Sequence, residues 1–548
     1  MPRCLTATLV FLFTLPALAA QSGDGAALAS ITPTEIGAHI KVLASDAFGG
    51  RGPASPGEKK TIEYLRAQFK ALGLKPGWHG HYFQPVPMTK ITAQPADLVF
   101  SGGGTHTTLK YLHDQVILTE REQPTVTLKD VPVVFVGYGI DAPEFHWNDF
   151  AGSDVRGKVI VVLVNDPGYD DPKLFKGKHM TYYGRWTYKY EEAARRGAAA
   201  VLVVHRTGPA GYGWGVVQNS NSGTKFTLSE PDRNMQRAAI EGWISHDAAQ
   251  QLFKQAGADF TQLARAADRP GFKAVPLDLK MSVTLHSRIG HITSHNVIAT
   301  LPGRTHPDQA VIYSAHWDHL GTHPDLPGDG IFNGAVDDGS GSAALLTLAR
   351  AFTLAKPQPA RSVVFLATTS EEQGLLGAAY YVRHPAFPLG DTVADINMDI
   401  MNVYGRTRDI TVIGYGRSQL EDELKIAAQA EGMRITPDPH PETGLYYRAD
   451  HFEFAKRGVP ALLTFSGYDY LNRPADWGQH TWSDYFAHRY HKPADEFDPH
   501  WDLSGEAQQL RALFRLGHGL ADSEVWPAWY PDVPFGKLRK AQRAHAAH

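Results

Sequence analysis

The sequence predicts an α/β chain with a central mixed β-sheet flanked by helices on both faces. Three observations predict it. After residue 290, short β-branched or fully apolar runs alternate with amphipathic stretches that open on Gly or Ser. Between about residues 90 and 285 the texture differs, with β-branched runs bounded by turn residues, which marks an inserted, mainly-β unit. The chain is 43% hydrophobic and 20% charged, as folded globular proteins are, and its 548 residues exceed one ordinary compact domain.

The elements follow in order. Residues 1–20 read as a signal peptide: Arg3 gives a positive start, Leu5 to Leu15 is apolar but short for a membrane span, and Ala17-Leu18-Ala19 is a small-residue cleavage pattern. The only cysteine, Cys4, lies inside that segment, so the mature chain has no disulfide and no thiolate. This predicts a periplasmic or secreted protein without a stable membrane anchor. The net charge of −4 and pI near 6.7 give no electrostatic case for nucleic acid or an anionic membrane as partner.

Thr32-Pro33-Thr34-Glu35 has capping-box spacing with Pro at the first helical position, so a helix runs to about Ser45. The Gly- and Pro-rich stretch Asp46 to Gly57 is a loop. Ile62, Leu65, Phe69 and Leu72 then form one helical face, ended by Gly73. A first part of the α/β unit therefore covers 21–90. Inside the insert, 91–285, the strands are Val131 to Tyr138, Val159 to Val164 and Ala198 to Val204, with a helix from Tyr188 to Arg196. Gly102-Gly103-Gly104 is a turn, because no helix pattern follows it. The second α/β part, 286–530, has strands at Asn296 to Leu301, Ala310 to Ala315 and Ser362 to Ala367. Its helices run over Ser340 to Leu354, from about Gly374, and through Leu510, Leu513, Phe514 and Leu520. The basic, polar tail 531–548 is expected to fray.

Functional groups of α/β sheets collect where strands end, and four strand ends here carry metal-binding side chains. Ser314-Ala315-His316-Trp317-Asp318-His319 offers a His with a carboxylate two residues on, which can fix its tautomer or support the site nearby. Gly334-Ala335-Val336-Asp337-Asp338-Gly339 presents two carboxylates before a helix; either can bridge cations or cap the helix. Glu371 and Glu372 follow an apolar strand and point different ways, so one can bind metal while the other serves as base. Asp399 sits among apolar residues, where an unpaired carboxylate is costly. A fifth group lies in Arg489-Tyr490-His491-Lys492-Pro493-Ala494-Asp495, with His480, His488 and His500 close by and spacing unable to choose among them. Nitrogen and oxygen donors without sulfur suit zinc, with cobalt or manganese as substitutes. No Gly-x-Ser-x-Gly elbow accompanies them, which sets serine hydrolases aside.

These motifs, in this order, resemble the co-catalytic di-zinc peptidases that include secreted bacterial leucyl aminopeptidases and plasma glutamate carboxypeptidase. The carriers are "LASDAFGGRGPASPGEKKTIEYLRAQFKALGLKP", "SHNVIATLPG", "SAHWDHLG", "GAVDDGSGSAALL", "TSEEQGLLGA", "NMDIM", "RADHFEFAKRGVPALL" and "YHKPADEFD". The resemblance implies a zinc exopeptidase-like fold and two zinc ions per chain. It implies that His316 and Asp399 bind one ion, Glu372 and His491 the other, and Asp337 both. It makes Glu371 the general base toward a metal-bridging water and Asp318 a supporting carboxylate. "DVRGKVIVVLVNDPG" and "YEEAARRGAAAVLVV" give the insert a likeness to a protease-associated domain. The implied activity is aminopeptidase action on peptides. Its rivals are a carboxypeptidase or dipeptidase, for which Arg448 is a candidate carboxylate anchor, a glutaminyl cyclase, and a non-enzymatic binding protein of the same fold. Tyr468, Tyr470, Trp477, Trp482 and Phe486 are aromatic candidates for a pocket wall.

Overall fold

The computed structural model describes residues 24–546; the leader 1–20 and Cys4 lie outside the described residues. Helix Pro33–Leu43 starts as its cap predicts, with the Thr32 hydroxyl accepting from Glu35 N at 3.2 Å. Between it and helix Pro56–Ala71 the chain makes a tight 3-10 segment, Asp46–Arg51, where a plain loop was expected.

The main sheet is mixed. Strand Arg361–Thr368 pairs antiparallel with Val297–Leu301 on one side and parallel with His306–His316 on the other. His306–His316 pairs parallel with Thr392–Asn397, which pairs parallel with Ala461–Ser466. Asp409–Ile413 follows antiparallel, and Arg434–Pro437 closes that edge. All residues of Arg361–Thr368, Thr392–Asn397 and Ala461–Ser466 are buried. Strands buried on both faces need helices on both faces. Helices Gly339–Leu354 and Ser504–Ala521 contribute to that cover, packing Leu345, Leu348, Phe352, Leu513 and Phe514 into the same core as Val311, Tyr313 and Phe365.

This topology places the site. From His306–His316 the chain crosses through helix Gly339–Leu354 to Arg361–Thr368 on one side, then returns to Thr392–Asn397 on the other. The connections diverge at the C-terminal end of the central strand, where open α/β sheets leave a crevice. His316 is the last residue of that strand.

The unit between 91 and 285 has cores of its own, one around Leu163, Leu202 and Phe253 and one around Val162, Val203 and Trp243. Its centre is parallel, Val159–Leu163 beside Ala200–Val204 beside Ile240–Ile244; the expected helix is Trp186–Arg195, and His246–Gln255 and Phe260–Ala267 are helices that were not expected. Neither sequence boundary is a break. The strand expected to begin at Asn296 runs from Val275 to Leu301, and together with Phe83–Ala93 it passes from one unit into the other. The tail expected to fray is a helix, Gly536–Ala546. Arg539 anchors it by donating to the carbonyls of Leu389 (2.8 Å) and Thr392 (2.7 Å).

Candidate metal centre

The strand ends converge. His316 Nε2 lies 3.1 Å from Asp337 Oδ1 and 3.8 Å from Asp399 Oδ1. His491 Nε2 lies 3.1 Å from Asp337 Oδ2 and 3.0 Å from Glu372 Oε2. Asp337 thus stands between two imidazoles and turns one oxygen to each. Glu371 faces the same space with Oε2 4.0 Å from His316 Nε2. The remaining histidines of the late cluster point to water: His480, His488 and His500 are 76%, 71% and 90% exposed at the side chain.

Local structure explains why each group is held. Asp338 is the helix cap of its pair. Its Oδ1 accepts from Gly341 N (2.8 Å) and Ile400 N (3.3 Å), and its Oδ2 from His316 N (3.2 Å), so one carboxylate ties three segments of the site. Asp337 is left free to face the cage. Ser370, Ile400 and His491 all have left-handed backbones, with φ of 56°, 55° and 56°. Such conformations cost roughly 1–2 kcal/mol for non-glycine residues and gather at functional sites. Asp318 departs from its first expected role. His316 Nδ1 is nearer the Asp318 carbonyl (3.1 Å) than its carboxylate (3.8 Å), and Asp318 Oδ1 accepts instead from Glu371 N at 3.1 Å. It therefore aims the Glu371 backbone.

Three supports escaped the motif reading. His319, fully buried, approaches Glu372 Oε1 with Nδ1 at 2.7 Å, so Glu372 is gripped from both oxygens. Asp495 accepts from Val336 N (3.1 Å), Asp337 N (3.1 Å) and the Tyr485 hydroxyl (3.3 Å), clamping the turn beneath Asp337. Arg51, fully buried, donates to the carbonyls of Trp317 (2.8 Å), Leu43 (3.0 Å), Asn333 (2.5 Å) and Gly334 (2.7 Å) and so joins the His316 and Asp337 loops. The legible signal for His319 was its place in the same motif. For Arg51 it was only an Arg flanked by glycines. The aromatic candidates pack on one another: Tyr470 meets Trp477 edge-on at 4.8 Å, and Trp482 Nε1 donates to the Tyr470 hydroxyl at 3.1 Å.

The electrostatics favour cations. Burial would raise Asp337, but hydrogen bonds from His316 and His491 hold it well below the usual carboxylate range. Burial likewise opposes ionisation of Glu372, yet the His491 charge brings it to about 2. Burial drives Glu371 well above its usual range and Asp318 to about 7. Burial opposes the charge on His491, but Glu372 and Asp337 lift it to about 10. A cation entering this field displaces protons from the imidazoles, so its binding is coupled to pH.

Zinc fits the residues present. Asp399 Oδ1, Asp318 Oδ2 and His319 Nε2 are buried without a hydrogen-bond partner among the described residues. Two groups, His316 with Asp337 and Asp399, and His319 with Asp337 and Glu372, each bring donor atoms within 4.8 Å of one another and share Asp337. Buried acids in this number need cationic partners, and mixed imidazole and carboxylate donors are zinc's.

The site is thus a cage of nitrogen and oxygen donors at the switch point of an α/β sheet, an arrangement that could hold metal ions. Residues 296–514 match the model of Peptidase family M28, in agreement with the motif resemblance. Aminopeptidase NAALADL1 of Mus musculus is 35% identical over 139 residues, 24% of this chain and 17% of its own length. Leupeptin-inactivating enzyme 1 of Streptomyces exfoliatus is 30% identical over 235 residues, 41% of this chain and 49% of its own length. The chain thus spans less than half the length of these curated relatives. An aminopeptidase structure from Aneurinibacillus sp. strain AM-1 aligns with 91% of this chain and 95% of its own at 20% identity, with a TM-score of 0.49.

Proposed function

We propose that the chain is an exported di-zinc aminopeptidase that hydrolyses N-terminal residues from peptides. The observation that carries this reading is Asp337, with one oxygen toward His316 and the other toward His491. That arrangement suits a carboxylate shared by two ions, with Asp399 and His316 at one and Glu372 and His491 at the other. Zinc, when bound, would polarise the scissile carbonyl and make a water nucleophilic near neutral pH.

The chain's own residues do the rest. Glu371 carries no cage hydrogen bond and is held by its backbone N–H on Asp318, so its carboxyl is free to take a proton from the attacking water. Its raised proton affinity favours taking that proton, which then passes to the more basic leaving amine. His319 keeps Glu372 from swinging toward substrate. Export is supported by the leader pattern in residues 1–20. No helix among the described residues is long and apolar enough to cross a membrane. The 91–285 unit, read as protease-associated, shapes access to the cage.

The test is a screen of aminoacyl-p-nitroanilides beside N-blocked peptides, with chelation and zinc restoration as control. Cleavage of the free-amine set alone is expected. Cleavage of N-blocked peptides at their C-termini would replace this reading with a carboxypeptidase.

A further inference from the structure

One buried cation outside the cage has no partner. Arg185, at the start of helix Trp186–Arg195, is 9% exposed. Its Nε is buried without an acceptor, and among the described residues its guanidinium makes neither a side-chain hydrogen bond nor an ion pair. Other buried arginines do find acceptors: Arg51 in four carbonyls, Arg539 in those of Leu389 and Thr392, and Arg361 in those of Leu520 and Val525, although its Nη2 is unpartnered among the described residues. An unpaired buried guanidinium is expensive unless an anion visits it.

Its surroundings name the visitor. The segment before Arg185 docks on residues 441–448: Met180 N donates to the Pro441 carbonyl at 3.3 Å, the Tyr447 hydroxyl to the Met180 carbonyl at 3.2 Å, and Tyr182 meets Phe452 edge-on at 5.3 Å. Arg448, exposed, ends that stretch. Burial, opposed by Tyr212 and aided by the like charge of Arg448, lowers Arg185 to about 10, so the two guanidiniums share one region. Asp450, two residues after Arg448, ties that region to the cage: its carboxylate accepts from the Thr368 hydroxyl, and Thr368 lies beside His316 in the sheet.

We propose that Arg185 and Arg448 form a carboxylate-binding subsite between the 91–285 unit and the cage, which holds a peptide by its free C-terminus or by an acidic side chain. A guanidinium fork matches a carboxylate in two parallel hydrogen bonds. The proposal rests on the peptide-hydrolase reading of the cage. It makes the preferred substrates short peptides carrying a carboxylate close to the scissile bond.

The experiment measures binding apart from turnover. The zinc-loaded full chain carrying Glu371→Gln is titrated calorimetrically with Leu-Leu and Leu-Leu-amide, and with Leu-Glu-amide and Leu-Gln-amide. At least tenfold tighter binding of the first member is expected in one pair, and the pair identifies the source of the carboxylate. Adding Arg448→Gln, a surface change that leaves packing intact, or Arg185→Gln, should cut that ratio at least fivefold. Equal binding within both pairs, no binding of any of the four, or a ratio that survives both substitutions overturns the subsite. In parallel, the unsubstituted chain is assayed for hydrolysis of the same peptides. Absence of turnover would remove the functional reading, while the titrations judge the subsite on their own.

Discussion

At the scale of single residues, the proposed mechanism gives proton transfer to Glu371 and metal holding to Asp337. Glu371→Gln keeps the shape of the side chain and its backbone anchor on Asp318 but cannot take a proton. Turnover should fall by about 10²–10⁴-fold with zinc content unchanged. Asp337→Ala removes the carboxylate between both imidazoles, so zinc content and turnover should fall together in the same preparation. An active, zinc-replete Asp337→Ala chain would end the shared-carboxylate assignment. His451 makes a different prediction. It is fully buried with both ring nitrogens unpartnered among the described residues, and burial, reinforced by the Arg417 charge, lowers its pKa from 6.5 to about 3. The folded state therefore binds fewer protons than the unfolded state below the unfolded pKa. Stability falls as pH drops below 6.5 and continues to fall until about 3. From pH 7 to pH 5 this amounts to about 2 kcal/mol. Denaturant titrations at both pH values should show a His451→Leu chain losing about that much less than the parent. Cage protonation is common to both chains and cancels from the difference.

At the scale of elements, the site depends on a turn held from outside itself. Residues Gly334 to Asp337 contribute the candidate cage carboxylate of Asp337 but no regular structure, so their backbone N–H groups need external acceptors. Asp495 provides them from the loop that also carries His491. One residue thus couples the positions of Asp337 and His491. Asp495→Ala leaves two backbone donors and the buried Tyr485 hydroxyl unsatisfied and should cost about 3 kcal/mol, read as a lower unfolding midpoint. Zinc affinity should weaken with it, by about 10–100-fold for a lost supporting contact. Asp495→Asn, which keeps an acceptor, should recover most of both. Unchanged zinc affinity in the Ala variant would show that the turn holds its shape alone.

At the scale of the whole molecule, two sets of hydrophobic cores are joined by two long strands. The core beside the cage takes few residues from the 91–285 unit, Met180 chief among them. Only that core gains from zinc. A ligand at a thousand times its dissociation constant adds about 4 kcal/mol to the state that binds it. Calorimetric scans with and without chelator should therefore show one transition moving down strongly and a second, from the 91–285 unit, moving little. A single transition that shifts as a whole would mean that Phe83–Ala93 and Val275–Leu301 make the cores one cooperative unit.

Much of this was legible in residue order. Helix Pro33–Leu43 was readable from its cap, and the central strands from fully apolar runs, because capping and burial act over a few neighbouring residues. His316, Asp337, Glu371, Glu372 and Asp399 were visible as polar side chains at expected strand ends, and His491 only within a late cluster of histidines. Local spacing could not divide Asp337 from Asp338 or choose His491 over His480, His488 and His500, choices that only the family resemblance made, and neither reading noticed Arg51 and His319 as supports. Adjacent or clustered residues share local chemistry and differ only in what faces them across the fold. Asp338 became a cap because His316, Gly341 and Ile400 present their N–H groups to it. His491 became a cage residue because its loop lies over Asp337 and Glu372. The sequence by itself determined which donors exist and which strands present them; the crossing of the chain at His306–His316 decided which of them meet, since contact across hundreds of residues is set by topology and not by spacing.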